Sequence, residues 1–540
     1  VNLWPLLPII VPLASIPACA AIKERDAGRL TRRMVYTAAL GMTAVSIALT
    51  ALPGTSPLTL GSTEGYLAAP TAPLWSPLSY WAASVLMLVL LLGQLTQLQH
   101  PLTAAHSMHY LVTLSATMAT VSASNAISLV LAWSIPHLLV MYLRSAHGEA
   151  TVRSSRWDTW SSFVSLALVV IGAVALSAEQ NGTLYLVAIG PGLAFTALAA
   201  GAGLRLVSWL LVGGPGRWWQ LHAMSMISGF YLWLRLGIVL QAEQPLLGNP
   251  GMAVPIALAL GLIIGPREGQ SRVVPVGFGY WLALALLAPA LAPGTGYAVS
   301  LLVATQLMLC LSLLRGSSDM PSESRLRTVP GMIAWGALSG VILTSGFVVH
   351  WAFGQICLRA GGPGLLAIAS IGYLLVAVPL GRRLTWSPGT ALQGRLLAAR
   401  DSGAIVGLVV AGLLVLLGIW PGIIERVWPD IRLGLDALEY SRLWGNSAAD
   451  RLALFIAVLV VPMGAGLAAR RVPRVQDILY GWIVRAEQGL RGEWLYLLAQ
   501  RVLARATRDL RHGLAAIEES LALRWCLLWG LALVYYLLQR

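Results

Sequence analysis

Residues 297–314 read YAVSLLVATQLMLCLSLL, with Pro293 and Gly294 ahead of them and Arg315 behind. At 1.5 Å rise per residue, this uncharged run is about 27 Å long as a helix, close to the hydrocarbon thickness of a bilayer. A helix satisfies its own backbone donors and acceptors where no water is present, so the run reads as a membrane span. Similar runs recur along the chain. Of its 540 residues, 57% are hydrophobic and 11% charged, and the mean hydropathy is +0.74. That balance fits no soluble chain and leaves no room for a soluble catalytic domain. The expected fold class is an all-α polytopic membrane protein of about 16 transmembrane helices.

Apolar runs bounded by Gly, Pro and charges predict helices near 2–22, 33–52, 78–98, 108–124, 126–143, 160–178, 188–212, 221–240, 252–265, 274–291, 297–314, 330–349, 363–381, 403–420, 451–468 and 523–538. Arg and Lys crowd 23–33, 144–156, 267–272, 315–327, 382–400 and 470–511, whereas 51–77, 179–187, 241–251 and 292–296 contain none. Cations are retained on the cytoplasmic side, so the chain alternates strictly across a bacterial-type inner (cytoplasmic) membrane with both termini extracytoplasmic. Arg359 and the mixed-charge stretch 421–450 are the exceptions to this alternation. The IPAC stretch ending at Cys19 resembles a lipoprotein cleavage box, but its cations follow it, and it reads as an uncleaved first helix. Residues 470–522 mix charges with regularly spaced Leu, Ile, Val and Trp, the pattern of a lateral amphipathic helix on the cytoplasmic surface before a final helix at 523–540.

The 36 Lys+Arg against 22 Asp+Glu give a net charge of +14. In a membrane chain these cations orient loops and contact lipid; they do not imply nucleic acid. Lys23 is the only lysine, and arginine does not release its proton at biological pH, so no lysine inside the membrane can shuttle protons. Cys19, Cys310, Cys357 and Cys526 are far apart and form no CxxC or Cys/His cluster, so neither a metal site nor a cofactor is expected.

A charge at mid-membrane costs about 2.5 kcal/mol or more, which makes every ionisable group there a functional candidate. By the helix map, each acidic residue falls in a loop, at a helix end or in the amphipathic segment, leaving no intramembrane carboxylate as proton acceptor or general base. What remains inside is Arg205, His222, Arg235, His137, His109, His350 and the neutral Gln306. Arg205 is expected to line a cavity or snorkel. An imidazole at His222 can relay protons near neutral pH or sit at the interface satisfied by backbone. His137 follows Pro136, whose missing N–H frees a carbonyl, and structural satisfaction is its expected role. His109 and His137 are the one histidine pair to consider for haem ligation, with nothing else in the sequence to support it. The glycine-rich GAGLRL, GGPG and RAGGPG pieces pack or break helices and are not nucleotide loops.

Several stretches together resemble the antiporter-like subunits shared by respiratory complex I, Mrp cation/proton antiporters and energy-converting membrane hydrogenases. SPLSYWAASVLMLVLLLGQL at 76–95 is similar to the family's DPLS entry into its third helix, with Ser76 for Asp. NAISLVLAWSIPHLLVMYL at 125–143 resembles the fifth helix, keeping Trp133 but placing Ser134 where the key glutamate stands. TALAAGAGLR at 196–205 is similar to GAAGKSAQ, with Leu204 at the lysine position and Arg205 beside it. LHAMSMISGFYLWLR at 221–235 resembles HAATMVTAGVYLLAR and keeps His222, Gly229, Tyr231 and Arg235. LLVATQLMLCLSLLRGS at 301–317 looks like LLTHAFFKALLFLAAGS, with Ala304 for the histidine and Met308 for the lysine. Residues 329–355 resemble the helix ending in GFFSK, with Gln355 read in place of its lysine, and GLLVLLGIWPGII at 412–424 also fits a family pattern.

The resemblance implies N-terminal helices over 1–107 and two inverted five-helix repeats, 108–240 and 252–381, each with a broken helix around a buried polar site. It further implies two helices over 382–469, then the lateral helix and final span. Ser134, Leu204, Met308 and Gln355 mark lost relay residues, so the chain reads as a degenerate member that scaffolds or couples within a larger energy-converting complex. Its expected partners are other membrane and peripheral subunits and lipid, including those of an NADH:quinone oxidoreductase-like or membrane hydrogenase-like assembly. The alternatives are a proton-translocating subunit with a reduced path through His222, Arg205, Gln306, His137 and Ser134, or the membrane partner of a DAB-type inorganic-carbon uptake complex.

Overall fold

In the computed structural model the described residues are 4–22, 26–51, 75–95, 102–147, 152–179, 192–208, 219–240, 273–318, 325–383, 402–428 and 448–460, with single positions at 186, 189, 252, 256, 431 and 435. All belong to one compact unit made of 1–263 and 267–473. The expected span 252–265 apart from Met252 and Ile256, the expected span 523–538, the amphipathic segment 470–522, the second half of 451–468 and the side chain of His137 lie outside them.

The described residues form a helical membrane protein with no strand among them. Four described helices are long and apolar enough to cross a bilayer: Gly28–Thr50, Pro77–Gln94, Pro293–Leu314 and Ser345–Ser370. Several shorter apolar helices stand beside them.

The first expected helix, 2–22, is broken. A 3-10 turn at Trp4–Leu6 leads into α1 (Leu7–Ala14) and α2 (Ile16–Ala21), separated at Ser15. Pro17 cannot donate to the preceding turn, and the Ser15 hydroxyl and N–H both turn back to the Val11 carbonyl, at 2.9 and 3.2 Å. The next helix, α3 (Asp26–Thr50), begins well before the expected residue 33 and draws Arg29, Arg32 and Arg33 into its first turns. Arg32 is fully buried and donates to the carbonyls of Cys19 (2.9 Å), Leu102 (3.1 Å) and Ile22. A guanidinium on the carbonyl end of α2 is favoured by the helix dipole, which corrects the reading of 23–33 as a plain loop.

Five helices follow α4 (Pro77–Leu95): α5 (Ala104–Ser122), α6 (Ala126–His147), α7 (Val152–Glu179), α8 (Leu193–Ser208) and α9 (Trp219–Leu240). Thr103 caps α5 by accepting from the His106 N–H. Glu179 ends α7 and its carboxylate accepts from the Ala194 N–H at 3.2 Å, a negative charge placed on the first turn of α8. The two helices approach closely at Gly201, where a Cβ would lie 3.1 Å from the Ser165 carbonyl.

The second half contains α10 (Val273–Leu291), α11 (Pro293–Ser318), α12 (Arg325–Leu338), α13 (Ser345–Arg383) and α14 (Ser402–Ile419). Short pieces α15 (Ile423–Val427) and α16 (Ala448–Phe455) follow, the latter running into a π-helical turn at Ile456–Val460. The opening stretch behaves as read: α11 is buried along all of 297–314 and touches α4, α9, α10, α12, α13 and α14. Pro289 inside α10 explains one of its contacts. A residue there would donate to Ala285; proline cannot, and the freed carbonyl accepts from Trp233 Nε1 of α9 (3.2 Å) and Ser300 Oγ of α11 (2.5 Å).

The largest departure concerns 330–349, expected as one helix. It is two half-helices: α12 stops at Leu338, and α13 begins at Ser345 after a loop with Gly340 at φ 65° and Leu343 at φ 71°. Helix α13 then turns at Gly362 (φ 67°, ψ −162°), and its second limb covers the expected span 363–381.

Candidate functional site

Two buried polar centres stand out, one in each half. In the first, Arg205 of α8 is fully buried with its guanidinium 4.0 Å over the Trp133 ring of α6. Its Nη1 donates to the Trp133 carbonyl at 3.3 Å. That carbonyl lies one residue beyond the one Pro136 leaves unbonded. Trp133 Nε1 donates to Ser165 Oγ of α7 (3.3 Å), which donates to the Gly201 carbonyl of α8 (2.8 Å). The guanidinium is thus held between a π-face and a backbone carbonyl, the two kinds of partner its planar fork suits.

The second centre closes around the helix break. Gln306, at the middle of α11, donates from Nε2 to the Ala337 carbonyl (3.2 Å). Trp281 Nε1 of α10 donates to Leu338 O (2.9 Å), and the Tyr373 hydroxyl of the second limb of α13 donates to Ser339 O. Three consecutive carbonyls at the C-terminal end of α12, which a continuous helix would satisfy itself, are thus taken by side chains from three other helices. His350 sits beside this group, its ring 3.7 Å from that of Tyr373 and its Nδ1 3.1 Å from the Tyr280 hydroxyl. Between the centres, Arg235 Nη1 donates to the Tyr231 hydroxyl (2.7 Å) and to Ala123 O, and Tyr231 lies 3.3 Å from Ser79 Oγ.

Of the residues expected on a proton path, Arg205 and Gln306 are buried in separate centres. Ser134 is half-buried, and its hydroxyl donates back to Leu131 O (2.8 Å). His222 is half-buried near the start of α9. Among the positions of lost relay residues, Met308 is fully buried in α11, and Leu204 and Gln355 are half-buried. His109 is half-buried with Nδ1 on the Ala105 carbonyl of its own helix. The fully buried Tyr280, Trp281 and Tyr373 were not singled out by sequence; an aromatic ring with a polar tip in mid-helix was the available signal. No carboxylate is buried among the described residues, whereas Arg32, Arg33 and Arg205 are.

No family model and no curated protein matches the sequence. Solved structures do match. A chain of the Mrp complex from Dietzia sp. DQ12-45-1b superposes with a TM-score of 0.67 at 17% identity, over 99% of this chain and 62% of that one. The chain thus spans 62% of the length of that relative. A chain of the archaeal membrane-bound sulfane sulfur reductase, a respiratory membrane complex, gives 0.59 at 13% identity, over 94% of this chain and 99% of that one. A chain of respiratory complex I from Thermus thermophilus gives 0.53 at 16%, over 80% and 99%. The chain therefore has the fold of membrane chains in Mrp- and complex I-type assemblies, the antiporter-like fold that the sequence resemblance implies.

Proposed function

We propose that the chain is an antiporter-like membrane subunit of a multi-subunit energy-converting complex, acting in scaffolding or coupling and not as an autonomous proton pump. The observation that carries this reading is the composition of the buried centres. A relay needs groups whose proton affinities switch against each other, which an alternating set of carboxylates and lysines provides. The described interior holds arginines, aromatic donors and Gln306 directed at backbone carbonyls, together with the buried His106 and His350, and no buried carboxylate to alternate with them. On this reading 108–240 and 252–381 are the two inverted repeats, residues 470–522 brace a neighbouring subunit, and the chain lies in a bacterial-type inner membrane with both ends extracytoplasmic.

The test is isolation from native membranes in mild detergent, followed by proton-movement assays on the reconstituted complex. Partner subunits should co-purify, and His222→Gln together with Gln306→Leu should leave proton movement within about twofold of the parent, against the 10²–10⁴-fold loss that follows removal of a needed acid–base group. Loss of movement with the complex intact would favour the reduced relay. Purification with a single soluble zinc protein would favour inorganic-carbon uptake.

A further inference from the structure

The loop that breaks the α12–α13 helix is polar in its backbone and apolar in its side chains. Val341, Ile342 and Leu343 are 46, 39 and 55% exposed. The loop lies deep along the helices that surround it. Gly340 abuts the Tyr373 hydroxyl, midway between the Gly362 turn and Arg383, and Ala337 faces Gln306 at the middle of α11. On one side the Leu343 carbonyl rests on α14, where a Cβ on Gly418 would come within 2.4 Å of it. Within the loop, Val341 N–H donates to Gly336 O, and Val341 O accepts from the Thr344 N–H and hydroxyl. The N–H and C=O of Ile342 and the N–H of Leu343 have no hydrogen-bond partner among the described residues.

Lipid cannot satisfy such groups, and irregular backbone at membrane depth persists only against protein or water. Water fits the backbone but not three exposed aliphatic side chains. A protein surface fits both, provided it offers a donor–acceptor group within an apolar surround. The complementarity is one of partial charge: two N–H donors and a carbonyl match a hydroxyl or carboxamide, which carries both signs, whereas a wholly aliphatic helix offers neither.

We propose that Val341–Leu343 is the docking point for a transmembrane helix of a second, different membrane subunit, one carrying a Ser, Thr, Asn or Gln at the contact. The inference rests on the reading of the chain as a subunit of a larger complex, and adds which part of its lateral surface meets a neighbour and with what chemistry.

The experiment uses the full-length chain in native membranes with a photo-crosslinking amino acid at Ile342, and a control at the exposed Val174 of α7. The complex is purified and the adducts mapped by peptide mass spectrometry. The expected result is an adduct from position 342, at least tenfold over position 174, on a transmembrane segment of a co-purifying subunit within a turn of a Ser, Thr, Asn or Gln. Replacing that partner residue by Ala should weaken the adduct severalfold. An intact complex whose position 342 labels only lipid, another copy of this chain or this chain's own 474–540 overturns the inference and leaves the subunit reading standing. Rapid labelling of Ile342→Cys by a membrane-impermeant thiol reagent also overturns it, by showing a water-lined crevice. If no partner co-purifies, both readings fall.

Discussion

Tyr373→Phe removes one oxygen, the donor to Ser339 O, from a ring that is otherwise fully buried. No other donor reaches that carbonyl among the described residues, so the variant leaves a part-buried acceptor unpaired. The cost of such a group is about 1–3 kcal/mol. Gln306→Leu also removes one donor, yet Ala337 O keeps the Gly340 N–H at 3.2 Å. The substitution also removes Gln306 Oε1, itself buried without a hydrogen-bond partner among the described residues. Loss of a net hydrogen bond worth about 1 kcal/mol is offset by relief of an unpaired acceptor, so Gln306→Leu should lie within about 1 kcal/mol of neutral. Unfolding by graded replacement of mild detergent with SDS, followed by tryptophan fluorescence, gives the two values on one scale. Tyr373→Phe should be the more costly by about 1–2 kcal/mol although it deletes fewer atoms. Equal costs, or the reverse order, would refute the view that side-chain donors from outside the broken helix hold its carbonyl end.

Four further outcomes are expected. Gly346→Ala places a Cβ 1.8 Å from Ala337 O, a backbone atom, and should abolish folded protein by size-exclusion profile, whereas Gly412→Ala, with nothing within 4 Å, should match the parent. Arg32→Gln deprives the Cys19, Ile22 and Leu102 carbonyls of their shared cation, each such bond contributing about 1.5–3 kcal/mol, and maleimide labelling of the buried Cys19 should accelerate at least tenfold. Arg205→Lys keeps the charge but loses the planar stack on Trp133, and should cost about 1 kcal/mol in the same unfolding assay. Deleting 475–540 should weaken recovery of partner subunits severalfold while the remaining chain still inserts; unchanged co-purification would remove the bracing role of the tail.

Apolar period alone placed most of the described helices, because a bilayer enforces continuous helices wherever the side chains are apolar. What it could not place were interruptions. Residues 339–344, SGVILT, contain no proline and read as helix, yet they break because Gln306, Trp281 and Tyr373 supply from other helices the donors that a helix would supply itself. The split at Ser15 was legible in Pro12 and Pro17, and the Ala285 contacts in Pro289, had each proline been asked which carbonyl it frees. Arg32 was misplaced because a cation count takes charge to mean water, whereas a guanidinium is equally at home on three carbonyls. His350, five residues before Gln355 on the same helix, stands in the second centre, whereas Gln355 is half-buried further along.

The two centres share a feature that bears on the proposed coupling role. A mobile proton requires groups that gain and lose hydrogen bonds as charge moves past them. Arg205 on Trp133 O, Trp281 on Leu338 O and Tyr373 on Ser339 O are donors whose acceptors are backbone carbonyls, which cannot take up a proton in return. They tie α8 to α6 and hold the break between α12 and α13 in one arrangement. On the proposed reading, stiffness of this kind is what coupling between neighbouring subunits asks of the chain. Loosening a pin, as in Tyr373→Phe, should therefore reduce coupled activity of the complex more than it reduces recovery of the chain, and a parallel fall in both would mean that the break serves folding alone.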